Sequence, residues 1–193
     1  MADRVSSDNE LWDKFRQGDT KALDQVYIKE FQALYNYARK IHSDHDFVID
    51  CIQELFAELW ERRKHLGEAG SIRFYLLKSI KRKVIKKLNR LNPVTSVNVL
   101  SDDYNFKVEY SIEQDIIFKE IASESTDKVR EAIGQLSDRQ KEVIYLRFYQ
   151  NLKFDEISEI MSIKNQSARN LLFEGLSRLK SILANFMVLF ISS

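Results

Sequence analysis

One cysteine, one proline and five glycines in 193 residues exclude several classes of protein at once. Cys51 has no second thiol to pair with, so no internal disulfide can staple a small scaffold. It lies among the apolar positions of a helical pattern, where a buried structural thiol is expected rather than a nucleophile. β-Sandwiches and barrels need frequent turns, and the chain has too few glycines and prolines to make them. Long apolar runs are missing too. Nothing approaches the ~20 residues of a membrane span, and the N-terminus has no apolar signal-peptide core. A cytoplasmic protein with no direct membrane insertion is expected. Excess charge of one sign is also absent, since 30 basic and 29 acidic residues leave +1, so affinity for a polyanion has to come from local patches. His42, His45 and His65 have no acidic or cysteine partner at a recognised metal spacing, and no glycine loop could cradle a phosphate. No metal, cofactor or catalytic centre is expected.

What the chain has is helical periodicity, which with this composition predicts an all-α fold of small helical domains. Asp8 to Gln17 reads as a short helix ended by Gly18, with Leu11, Trp12 and Phe15 on one side. Asp19 caps a long helix whose inward stripe is Leu23, Val26, Tyr27, Phe31, Leu34, Tyr35, Ala38 and Ile41. A third helix starts at Asp44 or Asp46, with Phe47, Val48, Cys51, Ile52, Leu55, Phe56, Leu59 and Trp60 inward and Asp50, Gln53, Glu54 and Glu58 outward. After a loop from Leu66 to Gly70, Ser71 caps a fourth helix that runs to about Leu91 and is stopped by Asn92-Pro93.

That fourth helix carries Arg73, Lys78, Lys81, Arg82, Lys83, Lys86, Lys87 and Arg90 with no acid among them. Lys78, Arg82, Lys86 and Arg90 recur every four residues and form a row. Like charges at that spacing repel by roughly a few tenths of a kcal/mol per pair. Within the helix nothing compensates, so a polyanion is the economical partner, although an acidic protein or a membrane surface would also satisfy the charges.

From residue 93 to about 110 the helical period disappears, which predicts a flexible linker between domains at 1–92 and 111–193. Ser111-x-x-Gln114 and Ser137-x-x-Gln140 are capping boxes. Ile117, Ile121, Val129, Ile133 and Leu136 continue a helical pattern between them, and the second box opens a helix through Tyr149 with Val143, Ile144 and Phe148 inward. Leu152 to Leu183 then reads as two helices and a tight turn. Phe154, Ile157, Ile160 and Met161 share a face, Ser162-Ile163-Lys164 breaks the pattern, and Asn165 is the expected N-cap. The second helix buries Ala168, Leu171, Leu172, Leu176, Leu179 and Leu183, leaving Gln166, Arg169, Asn170, Phe173, Ser177 and Lys180 open. This is the helix-turn-helix plan, though any two-helix corner of a core gives the same pattern. A glycine often eases such a turn, and Ser162 stands there instead. The apolar tail Phe186 to Ile191 is too short to cross a bilayer and reads as a helix end or docking surface.

Asp50-x-x-Gln53-Glu54-x-Phe56-x-x-Leu59-Trp60, then Ser71-Ile72-Arg73-x-Tyr75-Leu76 and a basic helix, resembles region two of bacterial sigma factors of the sigma-70 family. The compact form resembles the extracytoplasmic-function subgroup. Leu136-Ser137-x-Arg139-Gln140-x-x-Val143, Leu146-Arg147-x-Tyr149 and Glu156-Ile157 resemble region four. The resemblance implies a promoter-recognition subunit without catalysis of its own, partnered by core RNA polymerase and promoter DNA. It also implies an anti-sigma factor, which in this subgroup is commonly membrane-anchored. Asp50, Gln53 and Glu54 would dock on polymerase. Arg73, Lys78, Arg82, Lys83, Lys86, Lys87 and Arg90 would lie along the −10 element, and the Leu66–Gly70 loop would capture unstacked bases. Gln166, Ser167, Arg169, Asn170 and Phe173 would meet the −35 element: Arg169 a guanine or a phosphate, Asn170 an adenine edge or a phosphate, Phe173 a thymine methyl.

The chain departs from the family pattern at Val48 and Ile49, where small and acidic residues are common, and at Arg82 and Lys86, where an asparagine and an acid are. Leu171 and Glu174 stand where many relatives are basic, so weak −35 binding is expected without polymerase. The competing reading, a stand-alone helix-turn-helix regulator, leaves Asp50-x-x-Gln53-Glu54 and the basic helix without a purpose.

Overall fold

The structure is a computed structural model that describes residues 2–91, 106 and 130–191, with side chains at 8–91, 106 and 130–184. The expected linker apart from Phe106, the Ser111 capping box, Ile117, Ile121, Val129 and the side chains of the apolar tail lie outside the described residues. The chain divides into two compact units, Met1–Asp103 and Tyr104–Ser193. The fold is all-α, with no strand among the described residues.

The first unit comprises α1 (Ala2–Gln17), α2 (Thr20–Ile41), α3 (His45–Arg62), a single 3₁₀ turn (Arg63–His65) and α4 (Ile72–Leu91). Helix α1 begins at Ala2 rather than Asp8, because Asp3 to Ser7 offers only Val5 for a periodicity argument to use. It ends as expected at Gly18, whose φ of 93° is left-handed. The Asp19 amide reaches back to the Lys14 carbonyl at 3.0 Å and the Gly18 amide to Phe15 at 3.0 Å, which closes a Schellman turn. Asp19 accepts from the Lys21 amide at 2.8 Å, Asp44 from Phe47 at 2.9 Å, and the Ser71 hydroxyl from Phe74 at 3.2 Å. These caps fix the starts of α2, α3 and α4.

Helix α2 packs against α1, α3 and α4. Its buried line is Ala22, Val26, Glu30, Leu34, Tyr37, Ala38 and Ile41, which is rotated from the expected stripe. Leu23, Tyr27, Phe31 and Tyr35 are only half-buried. The aromatic side looked like the inside, but it forms a flanking ladder, with Tyr27 5.3 Å from Phe31 and Phe31 6.0 Å from Tyr35. The smaller side carries Glu30 inward because a cation on α4 neutralises it. On α3 the expected face is buried except for Phe47 and Trp60, which are half-buried. Trp12 stacks on Phe15 at 5.1 Å and packs on Tyr75 at 5.4 Å, and its indole N–H donates to the Gly67 carbonyl at 3.0 Å. The loop after α3 is thereby tied to α1.

In the second unit residues 130–134 are helical. They are followed by α5 (Asp138–Ile144), a π-helical turn (Tyr145–Tyr149), α6 (Phe154–Ile160) and α7 (Asn165–Ile191). The capping box at α5 is formed: Gln140 N–H to Ser137 Oγ is 3.3 Å and Ser137 N–H to Gln140 Oε1 is 3.1 Å. Beyond it, the expected inward Phe148 is 59% exposed, while Tyr145 and Leu146 are buried. The π turn is the reason. The Gln150 amide bonds the carbonyl five residues back, at Tyr145 (3.2 Å), and the extra residue rotates the face.

Helix α7 buries Ala168, Leu172 and Gly175, while the expected Leu176 is 40% exposed and Leu171, Leu179 and Leu183 are half-buried. Gly175 lies where α7 crosses α5. A Cβ there would stand 3.1 Å from Ile144 Cδ1 and 3.4 Å from Gln140 Cβ. The turn places Ser162 at φ 53°, the left-handed region that glycine enters without strain. Asn165 is the first helical residue rather than the cap, since the Ala168 amide bonds the Lys164 carbonyl at 3.1 Å. Its side chain has other partners.

Candidate nucleic-acid interfaces

On α3, the outward positions Asp50, Gln53 and Glu54 are exposed. Two of them face lysines of α4 rather than solvent alone. Lys87 Nζ is 2.8 Å from Glu54 and 3.8 Å from Asp50. Lys83 Nζ is 2.7 Å from Glu58 and 3.3 Å from Glu54. The hydrogen bond from Lys87 holds the Glu54 carboxyl below the usual carboxylate range, and the same bond raises Lys87. The expectation of an uncompensated basic helix is therefore corrected for these two lysines: no acid lies within α4, but the neighbouring helix supplies three.

The rest of the basic set divides further. Arg73 Nε donates to Glu30 at 2.8 Å, with a second, longer contact at 3.5 Å, and Glu30 is only 3% exposed. A buried carboxylate requires such a partner, so Arg73 serves the α2–α4 contact. Lys78 lies over the Phe74 ring at 5.5 Å, and Lys81, outside the expected DNA set, is buried. Arg82, Lys86 and Arg90 are exposed and have no ion pair among the described residues. They form one wall of an open groove of about 550 Å³ between α3 and α4, which Glu54, Glu58 and Arg62 also line. Among the described residues no group of His, Cys, Asp and Glu could hold a metal ion.

In the second unit, Gln166, Ser167, Arg169, Asn170 and Phe173 are exposed on the first turns of α7, and Phe173 is 74% accessible. Arg169 does not swing freely. Its Nε donates to Asn165 Oδ1 at 2.8 Å, and its guanidinium lies 4.3 Å over the Phe154 ring of α6. Asn165 in turn donates to Asp155. Gln166 donates to Asn170 Oδ1 at 3.0 Å, joining two of the expected base readers into one amide pair.

The family model described as Sigma-70 region 2 matches residues 27–93, and the one described as Sigma-70, region 4 matches residues 126–179. Together they span more than half of the chain, in the order that an acid–base helical unit followed by a helix-turn-helix requires. The chain belongs to the sigma-70 family. Within it the chain is of the extracytoplasmic-function subgroup. The RNA polymerase sigma factor SigV of Bacillus subtilis (strain 168) is 26% identical over 83% of this chain and 91% of its own. The ECF RNA polymerase sigma factor SigK of Mycobacterium sp. (strain JLS) is 20% identical over 86% and 84%. Two solved structures share the fold. CnrH, in complex with the cytosolic domain of CnrY, has a TM-score of 0.59 at 17% identity, over 92% of this chain and 97% of that one. RpoE of Bartonella quintana, in complex with the anti-sigma factor NepR, has a TM-score of 0.58 at 15% identity, over 85% and 98%.

Sequence reasoning about this sigma factor missed Glu30, Phe154, Asp155 and Asn165 as partners of its cationic residues. Glu30 did carry a signal, since it falls four residues from both Val26 and Leu34. Phe154 and Asn165 gave none, because their meeting depends on the angle between α6 and α7.

Proposed function

We propose that this promoter-recognising sigma factor docks on core RNA polymerase through Asp50, Gln53 and Glu54 and follows the −10 strand with the cationic edge of α4. We further propose that it reads the −35 element with the start of α7. The observation that carries this reading is the exposed row Arg82, Lys86 and Arg90, which has no ion pair among the described residues on a helix whose Lys83 and Lys87 are paired with carboxylates of α3. A row one helical turn apart suits a phosphate backbone, where each neutralised phosphate releases counterions and makes binding salt-dependent. Lys78, at the near end of the row, extends it. Lys87 joins when its partners Glu54 and Asp50 are engaged by polymerase.

Opening the duplex costs roughly a few kcal/mol for each unstacked step, which capture of the unstacked bases by the Leu66–Gly70 loop and polymerase contacts would offset. On α7, Gln166, Ser167 and Asn170 would place the helix on phosphates or adenine, Phe173 would meet a thymine methyl, and Arg169 a guanine or phosphate. No catalysis of its own is assigned. The setting is the cytoplasm, and no described helix is long and apolar enough to cross a membrane. An anti-sigma factor is the proposed inhibitor, as the RpoE complex with NepR suggests by its fold.

Run-off transcription with core polymerase on genomic fragments tests the reading. Transcripts should start from a restricted promoter set and only when this chain is added. A chain that binds DNA selectively without polymerase, and adds nothing to transcription, would make it a stand-alone regulator instead.

A further inference from the structure

We infer that Phe154, Asp155 and Asn165 are specificity-determining positioning residues, which hold the Arg169 guanidinium so that its terminal nitrogens meet a guanine edge in the major groove. The inference rests on the −35 role proposed for Arg169 and deepens it.

Three contacts fix the side chain. Asn165 Oδ1 takes Nε at 2.8 Å, and the Asn165 amide is itself turned by donating to the Asp155 carboxylate. The Phe154 ring lies under the guanidinium carbon at 4.3 Å. That ring is held from a second direction, because Arg147 lies 5.2 Å from it while bonding the Leu152 carbonyl at 2.8 Å. With Nε engaged, the two terminal nitrogens of Arg169 have no protein partner among the described residues. A guanidinium frozen in one plane loses less freedom on binding. A phosphate accepts from many directions and gains little from that plane, whereas guanine O6 and N7 lie in one plane and match a coplanar fork with two parallel bonds. The frame therefore favours the base over the phosphate. Phe154 and Asp155 belong to α6, the helix that crosses the backbone in this docking mode rather than entering the groove, so they would shape specificity without touching a base.

The test uses holoenzyme assembled from core polymerase and the full chain, bound to promoter duplexes with every single base-pair change across the −35 element. Arg169→Ala should erase the preference at one G·C pair, a loss of roughly fivefold or more. Phe154→Leu and Asn165→Ala should lower the preference at that same pair and at no other, with the salt dependence of the wild type. Phe154→Tyr, which keeps the ring, should restore it. If Phe154→Leu weakens folding, Asn165→Ala carries the test alone, since Asn165 is at the helix start and outside the core.

The inference is overturned if Asn165→Ala leaves that preference intact. It is equally overturned if Arg169→Ala weakens all duplexes alike and lowers the salt slope by about one, the mark of a phosphate contact. Either result leaves promoter-selective transcription by the wild-type chain standing. Loss of that transcription would instead reject the proposed function.

Discussion

Lys87 of α4 donates to Glu54 of α3 at 2.8 Å, so a residue expected on DNA is bonded to one expected on polymerase. A cationic polymerase surface that engages Glu54 and Asp50 competes for them with Lys87 and Lys83. Docking would then release Lys87 toward the promoter, while Lys83 keeps Glu58 at 2.7 Å. Glu54→Gln should act in two opposite directions. Affinity for core polymerase should fall, while binding of the free chain to single-stranded DNA should rise, its salt slope steepening by about 0.7 per lysine released. Titration in a salt series reads both, and unaltered core affinity in the Asp50 and Glu54 charge-reversal variant would reject the docking face. The pair itself adds little stability, since Glu54 is half-exposed. Glu54 is lowered, so its contribution is present above the ordinary carboxylate pKa and is lost as pH falls through the folded value.

Arg73→Ala should behave as a stability variant. It leaves the Glu30 carboxylate buried without its cation and should cost about 2–3 kcal/mol, discounted because Arg73 is itself partly exposed. Adding Glu30→Gln should recover much of the loss in thermal melts. An unchanged melt with a weaker −10 interaction would return Arg73 to the DNA-binding set.

Cys51 should resist alkylation while the first unit is folded. Burial, the largest influence, pushes its thiol up to about 11. Against an ordinary value of 9.0, the thiolate fraction near pH 8 drops about a hundredfold, before access is considered. Labelling should therefore track unfolding. Stability should also decline as pH rises from 9.0 toward 11, because the unfolded chain ionises first. Fast labelling of the native chain would contradict the buried placement.

Gly175→Leu should separate α7 from α5, because even a Cβ would stand 3.1 Å from Ile144 Cδ1. A cost of about 1–3 kcal/mol is expected from overpacking, together with weaker −35 binding as the reading helix shifts. Gly175→Ala should be far milder, because the helix propensity gained, roughly 1 kcal/mol, opposes the tight contact. Equal melting temperatures for the leucine variant and the wild type would show that this crossing is loose.

The all-α class, the caps at Asp19, Asp44, Ser71 and Ser137, and the inward face of α3 were legible in the residues, because each depends on neighbours within a few positions. The errors have specific causes. Aromatic content drew the α2 stripe one notch toward Tyr27 and Phe31, and the π turn after Ile144 carried Phe148 outward where an α-helical period would bury it. Leu176 looked like core, but a glycine was needed at the crossing beside it. Asn165 had the chemistry of a cap, but one residue earlier the Lys164 carbonyl already begins the helix.

By itself the sequence determined where helices start, which of their faces are apolar, and that one helix carries cations without acids of its own, because these are properties of composition and spacing along a single segment. Only the tertiary structure decided which cations remain available. Ion pairing depends on charges brought together from distant positions, so Glu30, Glu54 and Glu58 could take up Arg73, Lys83 and Lys87 only once α2 and α3 had packed on α4. Arg82, Lys86 and Arg90 line the same groove as Glu54 and Glu58 but form no ion pair among the described residues, because Lys83 and Lys87 take those carboxylates.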